Sequence, residues 1–240
     1  MAELEKKLKR LRKINFGCGW DIREGYLNVD MWPDCNPDLV IENSDYSIIP
    51  KNHYKEMLAN DVLEHIPRTE TLSYLLDWSE YLKKGGKLYL QTSSVLGVAK
   101  QLQNHSKFAD QYGWLTCLFG NQAHAGDFHH NGFTKQVLSV YLVAAGYKID
   151  SIKLRDKWLL HVDCHKEYDW TNVIKNYQKN NNSEYVDAIF LEAFGRKPDW
   201  MGGEHILNAL NEGIMDRRAA LRHLLQSPER LYFVASKKGL

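Results

Sequence analysis

The sequence carries almost no net charge. Its 31 lysines and arginines stand against 30 aspartates and glutamates, leaving +1 at neutral pH, so no global field draws in nucleic acid. It has no run of 18 apolar residues and therefore no evident transmembrane helix. Its first residues are charged and contain no apolar h-region, which predicts a cytoplasmic location. Cysteine is scarce. Cys18, Cys35, Cys117 and Cys164 are widely spaced and form no C-x-x-C pair, which argues against a zinc ribbon or a disulfide framework and suits a reducing compartment. What is present is a 44% hydrophobic, 12% aromatic composition over 240 residues, enough for one ordinary domain with a core and a small addition.

The chain is organised around Ile14 to Met31, I-N-F-G-C-G-W-D-I-R-E-G-Y-L-N-V-D-M. A short apolar strand runs into Gly17-Cys18-Gly19, and a second apolar run ends on Asp30. Glycines spaced in this way permit positive φ and bring the backbone close to a ligand. An acidic residue closing the next strand is placed to accept hydrogen bonds from a ribose diol. The third glycine of the dinucleotide fingerprint is missing, because Ile22 occupies its place. G-x-G by itself also fits a plain strand-to-loop turn.

With the further spacing to Glu24-Gly25-Tyr26 and Asn28-Val29-Asp30, the sequence resembles the class I S-adenosylmethionine-dependent methyltransferases. It looks most like the branch that accompanies bacterial glycan biosynthesis. The resemblance implies a doubly wound, mostly parallel, seven-stranded Rossmann-like sheet with S-adenosyl-L-methionine as cofactor. It places Gly17, Cys18 and Gly19 under the methionine moiety and Asp30, followed by Met31, on the ribose. Glu42 then stands near the adenine, with a solvated strand end as its other reading. Asn60 and Asp61 follow the fourth strand, where the methionine amine or adenosine is met.

Along the chain, Leu4, Leu8 and Leu11 share one face of a short basic helix, whose lysines and arginines read as a solvated surface. Strands are predicted at Asp38–Ile41, Tyr54–Ala59 and Lys87–Gln91. A helix over Thr69–Leu82 carries an apolar stripe of Leu72, Leu75, Leu76 and Leu82, and Lys83-Lys84-Gly85-Gly86 closes it. This alternation predicts an α/β sheet. N-D-V-L-E-H-I and L-K-K-G-G-K-L-Y-L are shared by the methyltransferase superfamily and say little about substrate. Residues 94–118 are expected to hold helices of an active-site cover. Thr134 caps a helix through Ala145, and Tyr147–Leu154 with Trp158–Asp163 reads as an antiparallel hairpin.

Beyond residue 168 the composition shifts, giving a methyltransferase domain over 1–168, a linker over 169–182 and a small all-helical domain over 183–240. The polar stretch Asn176–Ser183 has little to bury, whereas 184–194, 204–210 and 217–225 return to helical periodicity. G-R-K-P-D and S-P-E within this region are similar to a small helical domain of bacterial cell-surface and glycan-assembly proteins. The resemblance implies docking to other glycan-assembly proteins, with simple core completion as the other reading.

A methyl donor of this kind is already activated, so a hydroxyl acceptor needs positioning and a base, and histidine suits that task near neutral pH. Gly120–Phe133 is rich in glycine and histidine. The candidates are His130, preferred, then His129, with His124 in the same loop, and His65 at the start of a helix, which also fits a capping role. His124, Asp127 and His129 are chemically suited to a metal, but their spacing matches no diagnostic pattern, and a metal-free mechanism is expected. The expected activity is O-methylation of a sugar of a surface polysaccharide, or of its nucleotide- or lipid-linked precursor. The alternatives are methylation of a small metabolite or phosphate-type group, and a non-catalytic cofactor-binding scaffold. Nucleic acid is disfavoured, since no N-P-P-Y-type segment occurs.

Overall fold

The computed structural model describes residues 2–41 and 45–239. Glu42 lies outside the described residues. Helix α1 (Ala2–Arg10) leads to β1 (Lys13–Phe16), β2 (Leu27–Asp30), β3 (Leu39–Val40) and β4 (Tyr54–Asn60). Then follow α2 (Thr71–Tyr81), β5 (Leu82–Ser93), α3 (Val95–Asn104), α4 (Phe108–Phe119) and α5 (Lys135–Ala144). The hairpin β6 (Tyr147–Arg155) and β7 (Leu159–Lys166) completes the sheet, and α6 (Thr171–Asn176), α7 (Asn182–Phe194), α8 (Trp200–Asn211), α9 (Arg217–Leu225) and α10 (Pro228–Lys238) end the chain.

The strands form one seven-stranded sheet in the order β3-β2-β1-β4-β5-β7-β6. All neighbours are parallel except β7, which runs antiparallel to both β5 and β6. The order reverses between β1 and β4, so the chain leaves in opposite directions there and a crevice opens beyond the strand ends. This is the class I methyltransferase topology.

The two faces of the sheet differ. Ile14 and Phe16, Met57 and Ala59, Leu88 and Leu90, and Val162 and Cys164 point to one face, and all are buried. Helix α2 covers that face, with Trp78 at 5.2 Å from Phe16. The register aligns Lys13, Glu56, Lys87 and His165 in a row on the opposite face, where Lys87 is exposed. Among the described residues no α-helix lies between β1 and β4, so the layer that a doubly wound sheet usually carries there is reduced to loops. Strand β5 also differs from expectation. Lys83–Gly86 belongs to its first half and does not close α2, and the register jumps between Tyr54–Leu82 and Glu56–Lys87. Leu82 itself is fully buried and paired in the sheet.

The expected linker over 169–182 is corrected in part. Its first half folds as α6, with Trp170 and Val173 buried; two apolar side chains among many polar ones were enough to dock it. The buried apolar cluster continues from Trp78 and Leu142 into Tyr185, Leu224 and Val234 of the C-terminal helices. Arg222 of α9 ties this region to α2. Its guanidinium donates to Asp77 Oδ1 at 2.6 Å, to the Ser73 carbonyl at 3.1 Å and to Ser73 Oγ at 2.9 Å. Arg222→Ala is expected to cost about 2 kcal/mol, read as a lower urea midpoint for the whole chain.

Candidate functional site

The crevice is built first by the turn after β1. Gly17 and Gly19 have φ of 64° and 48°, a region L side chains rarely enter. A Cβ on Gly17 would lie 2.4 Å from Val62 Cγ2, whereas one on Gly19 would meet nothing within 4 Å. Gly17 is therefore required by packing as well as by its φ, and Gly19 by its φ, with open space beside it. Asp30, at the end of β2, holds the turn. Its Oδ2 accepts from the Gly19 amide at 2.7 Å and its Oδ1 from the Trp32 amide at 2.8 Å, leaving lone pairs on both oxygens. Below it, Asn15 Nδ2 donates to Asn28 Oδ1 at 3.2 Å and to the Asp21 carbonyl at 2.7 Å. Without a helix after the turn, these buried amides keep residues 20–26 in place.

Cys18 is buried, and burial followed by the nearby Asp30 charge pushes its thiol up to about 12. It is a packing residue, not a thiolate. Cys18, Asp30 and Cys35 form the one His/Cys/Asp/Glu group among the described residues with three donor atoms close enough to share an ion. That group lies at the glycine turn, and His124, Asp127 and His129 do not converge.

The second wall is the end of β4. Asp61 has a left-handed φ of 54°, a strain found preferentially at functional positions. Its amide donates to the Gln91 carbonyl at 2.9 Å and its carboxylate accepts from Gln91 Nε2 at 2.8 Å. Burial raises its pKa. Asn60 pairs with the same Gln91 in the sheet.

The histidine loop forms the roof. His124 lies 4.3 Å from the Trp32 ring, and a Cβ on Gly126 would stand 3.8 Å from Met31 Sδ, so the loop reaches the residues following Asp30. His65 Nδ1 is 3.1 Å from the Phe128 carbonyl, and His129 Nδ1 is 3.2 Å from the Cys117 carbonyl. A carbonyl only accepts, so in both rings Nδ1 carries the proton and Nε2 is left as the acceptor. The two rings meet edge-on at 4.7 Å. Burial lowers both pKa values, aided at His129 by the neighbouring His65.

His130 is exposed, with its ring stacked on Phe128 at 6.2 Å. The expectation preferred His130, whereas His129 is the half-buried member of the pair. Adjacent residues of an extended segment point to opposite sides, and only the packing of α4 over the loop decides which points in.

Three residues escaped the sequence reading. Gln91 orients Asp61. His161 of β7 pairs with Gln91 across the sheet, and burial lowers its pKa while Asp61 and Arg155 act on it with opposite signs. Glu64 is buried beneath the loop. His161 and Gln91 are brought together by an antiparallel pairing 70 positions apart, and nothing local marks them. Glu64 was visible within N-D-V-L-E-H-I, but its burial was not.

Residues 171–232 match a family described as a domain of unknown function, DUF4214. No curated protein matches the chain. Similar solved structures include an S-adenosylmethionine-dependent methyltransferase of Methanosarcina mazei, 14% identical over 69% of this chain and 97% of that one, with a TM-score of 0.47. Another, from Mesorhizobium loti, is 14% identical over 68% and 96%, with a TM-score of 0.45. The 1,6-didemethyltoxoflavin-N1-methyltransferase of Burkholderia thailandensis, solved with 1,6-didemethyltoxoflavin and S-adenosylhomocysteine, is 16% identical over 70% and 76%, with a TM-score of 0.44. No helix among the described residues is long and apolar enough to cross a membrane.

Proposed function

We propose that the chain is an S-adenosylmethionine-dependent methyltransferase that transfers the methyl group to a hydroxyl. The observation that carries the cofactor part of this reading is the Asp30 carboxylate at the end of β2, bonded to the Gly19 amide at 2.7 Å beside the sheet reversal. Bound there, the cofactor supplies an activated methyl group. Gly19 leaves its methionine end room and Gly17 lets the turn pass beneath it, Asp30 takes the ribose hydroxyls, and Asn60 and Asp61 face the amine or adenosine. The chain's own work is to place the methyl acceptor in line and accept its proton. His129 Nε2 is the leading receiver, held by its Nδ1 bond to the Cys117 carbonyl, with His65 beside it.

The acceptor class we favour is a sugar of a surface polysaccharide, or its nucleotide- or lipid-linked precursor, handled in the cytoplasm. The support is the resemblance of the Gly17–Asp30 segment and of the C-terminal helices to glycan-assembly proteins, through which partner proteins of that pathway would dock. The test is transfer of tritium from methyl-labelled S-adenosylmethionine to a panel of nucleotide-linked sugars and small hydroxylated metabolites, beside calorimetry with S-adenosylhomocysteine. Label on a sugar hydroxyl is the expected result. Label only on small metabolites would replace the sugar, and cofactor binding with no transfer to any acceptor would leave a binding scaffold.

A further inference from the structure

Glu64 is a carboxylic residue only 1% exposed, and the reaction proposed above gives it no task. A carboxylate buried this deeply is retained at a cost unless it is well bonded. Its Oε2 accepts from Thr92 Oγ1 at 2.8 Å and its Oε1 from the Ser93 amide at 3.4 Å, both at the end of β5. Its main-chain carbonyl reaches the other way, accepting from the amides of His130 at 2.8 Å and Asn131 at 3.0 Å. Asn131 continues the chain of contacts by donating to Thr71 Oγ1 at 2.8 Å.

The 3-10 turn Leu63–His65 that contains Glu64 also carries His65, whose ring bonds the Phe128 carbonyl and meets His129. One short turn therefore holds the histidine loop at Phe128, His130 and Asn131, and the Glu64 side chain is what fastens that turn to the sheet.

We propose that Glu64 is the positioning residue of the site, fixing the histidine loop over the crevice through its side-chain bonds to Thr92 and Ser93. This rests on the methyltransferase reading for its purpose, though not for its test. The ionised form accepts from Thr92 and Ser93. The protonated form must instead donate, so the Thr92 hydroxyl turns round and the bond to Ser93 weakens. Burial, then the like charge of Asp61 at the end of β4, raises the Glu64 pKa to about 7, so the exchange falls in the working range. Thr92 and Ser93, which bond it, are neutral, and the loop it holds carries the titratable rings of His129 and His130. His65 is its chain neighbour.

The test uses the full chain with no ligand. Carbon-13 nuclear magnetic resonance of the Glu64 side-chain carboxyl in wild type should give a chemical-shift transition with a midpoint near pH 7. Glu64→Gln is then compared at the amides of His130 and Asn131, which the Glu64 carbonyl holds. Hydrogen exchange at these two amides should rise about tenfold or more, while the amides of Ile14 and Met57 in the sheet keep wild-type rates. Thr92→Val removes the other end of the same bond without touching the charge; it should speed the same two amides and shift the midpoint upward. Exchange at wild-type rates in both variants would overturn the proposal. A uniform rise at every amide would also do so, since it means general destabilisation. Calorimetry with S-adenosylhomocysteine on the same samples separates the two ideas: loss of binding in wild type would end the methyltransferase reading and leave the amide result to stand or fall by itself.

Discussion

Asp30→Ala is expected to weaken S-adenosylhomocysteine binding by about 10²-fold or more while the protein stays folded. Two hydrogen bonds to a charged carboxylate are worth about 3 kcal/mol together, and each 1.4 kcal/mol is about tenfold. The same carboxylate accepts from the Gly19 and Trp32 amides, so its loss also loosens the turn that the ligand lies on. The fold should survive because β2 is anchored by Leu27 and Val29, both buried on the sheet. Asp30→Asn should fall between, since its amide group opposes one of the two N–H donors. Calorimetry beside a thermal melt reads both quantities. Unchanged affinity in a folded Asp30→Ala variant would remove the cofactor assignment.

The second large effect is on turnover. His129→Ala should lower kcat by about 10²-fold or more, the usual contribution of a positioned base, with S-adenosylhomocysteine affinity nearly intact. His130→Ala should be milder, because that ring is exposed and only its main-chain amide is tied down. The pH profile has a defined sign. The neutral imidazole is the active form, and burial lowers the His129 pKa below the ordinary value of 6.5. The imidazole limb of kcat/KM should therefore rise with pH, with its midpoint below 6.5. Chelators should leave the rate unchanged. If chelation abolishes activity and a divalent ion restores it, the histidines must be reread as ligands.

The histidine pair shows where reading a sequence stops. Gly120–Phe133 is marked locally by its glycines and histidines, so its place beside the site was legible. Which imidazole turns inward depends on α4, whose Cys117 carbonyl takes the His129 Nδ1 proton. Sequence spacing cannot carry that information, because two consecutive residues differ only in which side something else packs.

The expected linker over 169–182 gives the converse. Its polarity read as linker, yet Trp170 and Val173 dock into the core. A single helical turn needs few apolar side chains when a neighbour such as α9 supplies the rest of the surface.

By itself the sequence determined the strand–glycine–acid unit over Ile14–Asp30, the β4 segment ending in Asn60-Asp61, the capped α5 and the closing hairpin. In each, apolar periodicity, a capping residue or a positive-φ glycine acts within a few residues. Tertiary structure alone decided that one sheet face stays polar across Lys13, Glu56, Lys87 and His165. It alone placed Gln91 and His161 beside Asp61, turned His129 inward over His130, and buried Glu64 under the loop. These follow from which strands become neighbours and which surfaces meet, and such long-range pairings are set by the packing of the whole chain, not by any stretch of it.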